Sequence, residues 1–451
     1  MDSNKFGRNE NNDMLFARES FGNISLGVTM GVNAETGGQV FQFNEDRFRH
    51  LLILGRTGTG KSNHIMQMER EDIISGAGVA IIASHEEDAI YPLTWVPEDR
   101  MDDVVLLDAS NTRYVACMNP LDVDVRDKAA VSKAIDDTIE LLKTDCHYEW
   151  AGPQFERMAR MGLGLILHPA YPNPRCIGEL ERLFNDCDYV TTALNACNDD
   201  ELRTQWRLEA SARRASDHGE TVQWFLSKVS GFVSDEVLKN VFGPGKATID
   251  LDDIVCNGKI LVAIIPEARI GKEASHAIAA WLTARLKDAI LKRGKMLENV
   301  HETSSELGIF AQRIDGAEKL EPFFVYIDEF AKVASPEFGA MLAESRKYHV
   351  GFVLSLQTLA QAKVQDMRAM RESTLLQTML GNVGSVVCYP MGPFDTMAMA
   401  DFMGVSPAKV KDIQRYRPLA QLCMDNDQIE PIELEVPVKP EPGRESTPRR
   451  I

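Results

Sequence analysis

The segment from residue 51 to residue 72 constrains the fold of this chain more than any other part. Four apolar residues, Leu51-Leu52-Ile53-Leu54, are followed directly by the octet Gly55-Arg56-Thr57-Gly58-Thr59-Gly60-Lys61-Ser62. The octet fits the pattern GxxxxGK[ST], in which backbone N–H groups surround a phosphate. The run from Asn63 to Asp72 predicts a helix, whose N-terminus also favours an anion. The alternative, a strand and turn that merely contain glycines, agrees less well with these flanks.

Each residue type in the octet suits phosphate chemistry. The glycines can adopt backbone angles that other residues avoid, so successive amides can turn toward one ligand. Lys61 is expected to place its charge on the β- and γ-phosphates, and Ser62 is expected to offer a hydroxyl to Mg²⁺. ATP and Mg²⁺ are therefore the expected cofactors. The expected binding residues are Gly55, Thr57, Gly58, Thr59, Gly60, Lys61 and Ser62.

A second segment supplies carboxylates. The apolar run from Phe323 to Ile327 ends in Asp328 and Glu329. A carboxylate at the end of a strand can hold the shell of Mg²⁺, which is the role expected of Asp328. Glu329 is the expected base that accepts a proton from attacking water. Taken alone, the segment could equally be a strand that ends at a solvated acidic turn.

Two further residues complete the expected catalytic set. Gln357 ends the next apolar run, where a neutral amide could sense the γ-phosphate without adding charge. Arg346 lies between the two runs, and one interpretation makes it an arginine finger that enters the site of a neighbouring subunit. The alternative for Arg346 is a solvated helix face.

Composition limits the compartment and the partners. The chain has 451 residues and a formal net charge of −18, which counts against a general basic surface for nucleic acid. It contains no run of 18 apolar residues and no apolar segment near Met1, so neither a transmembrane helix nor a secretory signal is expected. Eight scattered cysteines without a CxxC pair suggest reduced thiols and a cytoplasmic location.

The hydrophobic pattern predicts an α/β fold with a mostly parallel central sheet. Short apolar runs alternate with helix-length segments, as in βαβ units. A short β segment is expected before the phosphate-binding loop, and only helical periodicity is found between Asp122 and Val241. The predicted division is a polar disordered N-terminus (1–20), a nucleotide-binding domain (21–122 and 242–430), an all-α insertion (123–241) and a flexible Pro-rich tail (431–451).

Several segments, in this order, resemble those of the HerA/FtsK-type motors, most closely the coupling ATPases of conjugative type IV secretion. The similarity covers roughly residues 20–425. It is carried by Arg49 to Ser62, Met118 to Leu121, Gly258 to Val262, Asp328 to Phe330, Ser345 to Lys347, Gln357 with Gln361, and Leu380 to Gly384. One departure is Ala83-Ser84-His85-Glu86-Glu87, where many relatives have Asp-Pro-His-Gly-Asp.

This resemblance implies a RecA-like ATPase with an inserted all-α domain, assembled as a hexameric ring that moves DNA through its centre. Membrane-anchored coupling proteins begin with transmembrane helices, whereas this chain begins with a polar segment. The expectation is therefore either a soluble relative or one that a relaxase-type or membrane-anchored secretion partner recruits to the inner membrane. The resemblance assigns Lys61 and Ser62 to phosphate and Mg²⁺, Asp328 to Mg²⁺, Glu329 to the base, Gln357 to the sensor and Arg346 to the finger. Two alternatives stay open: a secretion ATPase that acts on proteins, and an ATPase that regulates a nuclease or defence partner.

Overall fold

A computed structural model describes most of the chain. The described residues are 26–144, 152–215, 218–306, 321–332, 336–362, 365–366, 371–372, 375–425, 427–436 and 439–443. The expected polar N-terminus (1–20) lies outside these ranges. Within the described part of the chain, no helix is both long enough and apolar enough to cross a membrane.

The fold is built on one sheet of eleven strands, in the order β2-β1-β15-β12-β11-β3-β8-β7-β4-β6-β5. The seven strands from β11 to β5 pair in parallel. The strand bounds are Gly27–Asn33 (β1), Gln39–Phe43 (β2), Leu51–Leu54 (β3), Gly78–Ala83 (β4), Val104–Asp108 (β5), Ile260–Ile264 (β6), Phe323–Ile327 (β7), Val350–Leu356 (β8), Gln365–Asp366 (β9), Arg371–Glu372 (β10), Ser385–Cys388 (β11), Leu419–Gln421 (β12), Cys423–Met424 (β13), Asp427–Gln428 (β14) and Ile432–Glu435 (β15). The expected α/β class with a mostly parallel sheet is therefore confirmed.

Helices connect these strands and cover the sheet. Their bounds are Asn44–Arg47 (α1), Lys61–Ser75 (α2), Glu86–Ile90 (α3), Lys128–Thr144 (α4), Pro153–Ile166 (α5), Glu179–Asn185 (α6), Cys187–Cys197 (α7), Asp200–Ala215 (α8), His218–Val229 (α9), Gly231–Ser234 (α10), Glu236–Val241 (α11), Leu251–Cys256 (α12), Glu267–Ile270 (α13), Lys272–Glu306 (α14), Pro336–Ser345 (α15), Leu375–Asn382 (α16), Pro393–Phe402 (α17) and Pro407–Lys411 (α18). Helices α4 to α11 fall in the stretch predicted to be an all-α insertion. Its separate domain status stays a prediction.

The central strands have the apolar sequences that buried parallel strands require. Every residue of β3, β4, β6, β7 and β8 is buried. Parallel strands covered on both faces read as continuous apolar runs instead of alternating ones. The carboxyl ends of β3, β7 and β8 meet at one edge of the sheet, which gathers Gly55, Asp328 and Gln357 there.

A buried ionic network fixes α2 against β7. Arg47 makes a bidentate contact with Asp72 of α2, with N···O distances of 2.8 and 2.7 Å. The Tyr326 hydroxyl of β7 donates to Asp72 Oδ2 over 2.6 Å. The Arg47 guanidinium also lies 3.5 Å from the ring centroid of Phe324. These contacts hold the helix that begins at Lys61 against the strand that precedes Asp328.

The hairpin β1–β2 reaches the rest of the sheet through β15. Strand β15 pairs with β1 on one side and with β12 on the other. Farther along, the Pro440 and Glu441 carbonyls accept hydrogen bonds from Tyr91 and Trp95. The prediction of a flexible tail over 431–451 is therefore corrected for β15, Pro440 and Glu441. Leu434 is fully buried, and the backbone of β15 hydrogen-bonds to both neighbouring strands, β1 and β12.

Candidate nucleotide-binding site

The loop between β3 and α2 has the geometry of a phosphate-binding loop. Gly60 precedes the first turn of α2 with φ of 115°, a left-handed conformation that favours glycine. The Thr59 hydroxyl donates to the Arg56 carbonyl over 2.7 Å. Lys61 Nζ donates to the carbonyls of Gly55 (2.5 Å) and Arg56 (3.1 Å). These bonds bring the ammonium group back over the loop that the sequence predicts to hold phosphate.

Two glycines of the loop are also required by close contacts. A Cβ at Gly55 would lie 2.4 Å from Tyr389 Cβ. A Cβ at Gly60 would lie 2.7 Å from Tyr416 Cδ1. Both distances are shorter than side chains tolerate, so alanine at either position would displace the loop or its neighbour.

The two predicted carboxylates lie at the end of β7 beside this loop. The Asp328 N–H donates to the Ile82 carbonyl over 3.3 Å, which ties the end of β7 to β4. Glu329 has φ of 56°, a left-handed conformation that is rare for residues other than glycine, asparagine and aspartate. Such backbone strain is typical of functional sites. The turn places the Glu329 side chain within 3.4 Å of Gln357, whose Nε2 donates to Glu329 Oε1.

The charges at this edge of the sheet interact. Burial lowers the pKa of Lys61, and the nearby carboxylates of Asp328 and Glu329 act in the opposite direction. Only 7% of Lys61 is exposed. A buried ammonium interacts more strongly with an incoming phosphate than an exposed lysine does, because water screens it less.

The residues fit a magnesium ion that is held partly by phosphate. Ser62 and Asp328 line the same small cavity and offer the oxygen ligands that Mg²⁺ prefers. Within the described ranges, no group of three or more His, Cys, Asp or Glu side chains could hold a metal by itself. Mg²⁺ is usually bound through one or two side chains together with substrate phosphates, a role for which Ser62 and Asp328 are suited.

Two more acids line this cavity and were missed at the level of sequence. Glu69 follows Ser62 by seven residues, and both face the cavity from α2. Asp88 enters from α3. Glu69 is 3% exposed, and its Oε2 has no hydrogen-bond partner among the described residues. Burial, and then the charges of Asp328 and Asp88, raise the pKa of Glu69 well above its usual value.

The structure separates Arg346 from these residues. Arg346 lies just before β8, whereas Gln357 lies just after it. Its neighbour Ser345 is 3.5 Å from His50 Nε2, and His50 precedes β3. Arg346 therefore lies at the opposite edge of the sheet from the loop of its own chain. A role in the site of another subunit stays a prediction.

Arg415 and Tyr416 also hydrogen-bond to the loop, although no sequence motif indicates them. Arg415 Nη2 donates to the Gly58 carbonyl over 2.5 Å. The Tyr416 N–H donates to the Thr59 carbonyl over 3.1 Å. They lie more than 350 residues away along the chain, so no local pattern could have pointed to them.

Comparison with known proteins identifies the fold. No protein-family model and no curated protein sequence matches the chain. Among solved structures, the chain is similar to the bacterial conjugative coupling protein TrwBdeltaN70, with a TM-score of 0.58, 16% identity and coverage of 92% of this chain and 91% of that one. VirB4 of Thermoanaerobacter pseudethanolicus gives a TM-score of 0.57 at 14% identity and covers 92% and 97%.

A further TrwB structure is described as a complex with ADP and Mg²⁺, with a TM-score of 0.56, 15% identity and 92% coverage of each chain. Identities of this size establish the architecture and leave the activity to be tested. The chain has the RecA-like P-loop fold seen in the TrwB coupling protein and in VirB4.

Proposed function

We propose that this protein is an ATP-hydrolysing motor of the type IV secretion class that moves DNA. The observation that carries the proposal is the convergence of Lys61, Ser62, Asp328, Glu329 and Gln357 at one edge of the sheet. The shared fold with a conjugative coupling protein over 92% of the chain supports the same class.

The chain's own residues suit hydrolysis of a nucleoside triphosphate. The backbone amides of residues 55–60 and the Lys61 ammonium would hold the phosphates. Ser62 and Asp328 would hold Mg²⁺, which neutralises phosphate charge when it is bound. Glu329 would accept a proton from the attacking water, and its contact with Gln357 Nε2 would orient the carboxylate. Gln357 would thereby respond to the presence of the γ-phosphate.

The experiment is an ATPase assay on the purified full chain, with and without DNA, over a range of salt concentrations. A DNA-moving ATPase should be stimulated by DNA, and the stimulation should fall steeply with salt because phosphate contacts release counterions. Lys61→Ala should abolish turnover, whereas Glu329→Gln should bind ATP but hydrolyse it at least about 100-fold more slowly. Wild-type turnover in Glu329→Gln would remove Glu329 from the role of base.

The proposed assembly is a homo-oligomeric ring, a hexamer by resemblance, in which Arg346 completes the site of the next subunit. The exposed position of Arg346, at the edge opposite its own loop, is compatible with action across a subunit boundary. Mixing Arg346→Ala subunits into wild-type rings should inhibit more than in proportion to their fraction. A strictly proportional loss would contradict action across the boundary.

A second candidate is a secretion ATPase that acts on proteins. The formal net charge of −18 favours it, because a strongly acidic chain attracts nucleic acid only through local basic patches. An ATPase that is indifferent to DNA but stimulated by a relaxase-type or membrane-anchored protein partner would support this candidate or the remaining alternative, an ATPase that regulates a nuclease or defence partner. Stimulation of the ATPase by DNA without any such partner would support DNA translocation.

A further inference from the structure

A tight turn beside the phosphate-binding loop is held in a strained conformation. Residues 414–417 connect α18 to β12, and the Arg417 N–H donates to the Gln414 carbonyl over 3.2 Å. Tyr416 has φ of 60°, which costs energy for an aromatic residue and persists only where the surroundings enforce it. Two backbone hydrogen bonds hold Tyr416 in this conformation. The Tyr416 N–H donates to the Thr59 carbonyl (3.1 Å), and the Tyr416 carbonyl accepts from the Val436 N–H (3.0 Å).

The turn aims two side chains at the loop. The Tyr416 ring packs so closely on Gly60 that a Cβ there would lie 2.7 Å from Cδ1 and 3.1 Å from Cε1. Arg415 bonds to the Gly58 carbonyl, and its Cζ lies 5.7 Å from the Tyr416 ring centroid. Tyr416 nevertheless remains 36% exposed. An aromatic ring and a guanidinium group therefore flank the phosphate-binding loop with surface available to a ligand.

The sheet order fixes which end of a nucleotide would meet this turn. Strand β3, which delivers the loop, lies between β8 and β11. The groups proposed to act on the γ-phosphate, Glu329 and Gln357, follow β7 and β8 on one side. The turn lies beside β12, which pairs with β11 on the other side. For a triphosphate whose γ end faces Glu329, the turn therefore lies on the other side of the loop, away from the γ-phosphate.

We propose that Tyr416 and Arg415 form the nucleoside subsite, with Tyr416 stacking on the base and Arg415 contacting the base or ribose. The assignment rests on the proposed function, since it requires that ATP bind at the loop. Stacking on an aromatic ring tolerates any base because every base has a π-face, and arginine adds a cation–π contribution. Adenine and guanine nucleotides should therefore depend on these two residues to the same extent.

The competing interpretation is that the turn only supports the shape of the loop. The two interpretations predict different effects of changes in the turn on the affinity for a ligand that lacks a nucleoside. Inorganic tripolyphosphate can occupy the phosphate-binding loop but has no base or ribose. A supporting turn would affect ATP and tripolyphosphate alike, whereas a nucleoside subsite would affect ATP alone.

The experiment is calorimetric titration of the full chain with ATP, GTP and tripolyphosphate, each with Mg²⁺. Tyr416→Leu should weaken ATP and GTP about 10-fold and leave tripolyphosphate unchanged. Tyr416→Phe, which keeps the ring, should bind ATP with an affinity close to that of the wild type. Arg415→Gln should also weaken ATP and spare tripolyphosphate, and because its side chain is exposed it serves if Tyr416→Leu does not fold.

Arg417→Gln is the matched control. It alters the same turn, but Arg417 pairs with Glu435 instead of the loop, so nucleotide binding should stay at the wild-type level. Unchanged ATP affinity in Tyr416→Leu and Arg415→Gln would overturn the subsite, and so would equal losses for ATP and tripolyphosphate. If the wild type bound neither ligand, the phosphate-binding assignment would fail and the subsite with it. Binding of tripolyphosphate by the wild type therefore distinguishes failure of the subsite from failure of the phosphate-binding assignment.

Discussion

Asp72 lies at the centre of the buried network between α2 and β7, and Asp72→Asn should be strongly destabilising. The change keeps the shape of the side chain and removes its charge. Both partners are inaccessible to solvent, with side-chain exposures of 0% for Asp72 and 4% for Arg47. The guanidinium would then be left in the interior without a counter-charge, because water cannot reach it.

The magnitude follows from the burial. Breaking a buried ion pair by removing one partner costs about 3–5 kcal/mol. The Phe324 ring, 3.5 Å from the guanidinium, can retain part of the stabilisation through a cation–π contact, which favours the lower end. Tyr326→Phe removes one hydrogen bond to the carboxylate and should cost about 1.5–3 kcal/mol. Replacing both charges, as in Arg47→Met with Asp72→Leu, should recover most of the loss, since no charge then remains unpaired.

The assay is urea unfolding followed by both circular dichroism and tryptophan fluorescence, so that the coincidence of the two transitions tests cooperativity. The order of stability should be wild type, then Tyr326→Phe, then Asp72→Asn, with the double variant near the wild type. A loss below about 1 kcal/mol in Asp72→Asn would refute the reasoning, because that is the range of exposed ion pairs. A double variant as unstable as the single one would refute it as well.

Three other results are expected. Gly60→Ala should weaken ATP by more than about 10-fold, because φ of 115° and the Tyr416 ring both exclude a Cβ; calorimetry with unchanged affinity would contradict this. Burial raises the pKa of Glu69, so the folded state holds this proton more tightly than the unfolded state does. The free energy of unfolding is therefore highest below the unfolded-state pKa of Glu69 and falls as pH rises through its folded-state pKa. Glu69→Met should therefore raise the unfolding free energy by about 1–3 kcal/mol at pH 8 and by less at pH 5, and an equal gain at both would disprove it. Burial lowers the pKa of His50 and of His64 to about 4, so stability should fall as pH decreases from 6.5 to 4, by up to about 3 kcal/mol for each. His64→Leu should flatten this acid limb in pH-dependent unfolding, and an unaltered slope would exclude His64 from it.

The parts of the molecule that could be predicted from the sequence are those whose signals lie within a few consecutive residues. The octet from Gly55 to Ser62 and the apolar run that ends in Asp328 each carry their own strand, turn and chemistry within a few residues. The central strands were predictable for the same reason, because burial on both faces leaves a continuous apolar run. The parallel pairing of such strands then brings their carboxyl ends together without further information.

The remaining features depend on contacts between distant positions. Glu69 reads as one more polar residue of a helix, and its burial follows only from where α3 and β7 pack. Tyr416 is near Gly60 because β12 joins β11, which no motif states. Strand β15 was hidden because it is short and lies among prolines and acids, so composition suggested a flexible tail although Leu434 enters the core.

The pairing of Val32 with Glu435 has a consequence for biosynthesis. The ribosome delivers β1 and β2 early, but β15, which joins them to the main sheet, emerges only after every central strand has been made. Until then the hairpin presents an unpaired edge, which is a template for wrong pairing with another chain. Such long-range closure is slow, so nascent or truncated forms that lack β15 should need a chaperone and should aggregate more readily than the finished protein.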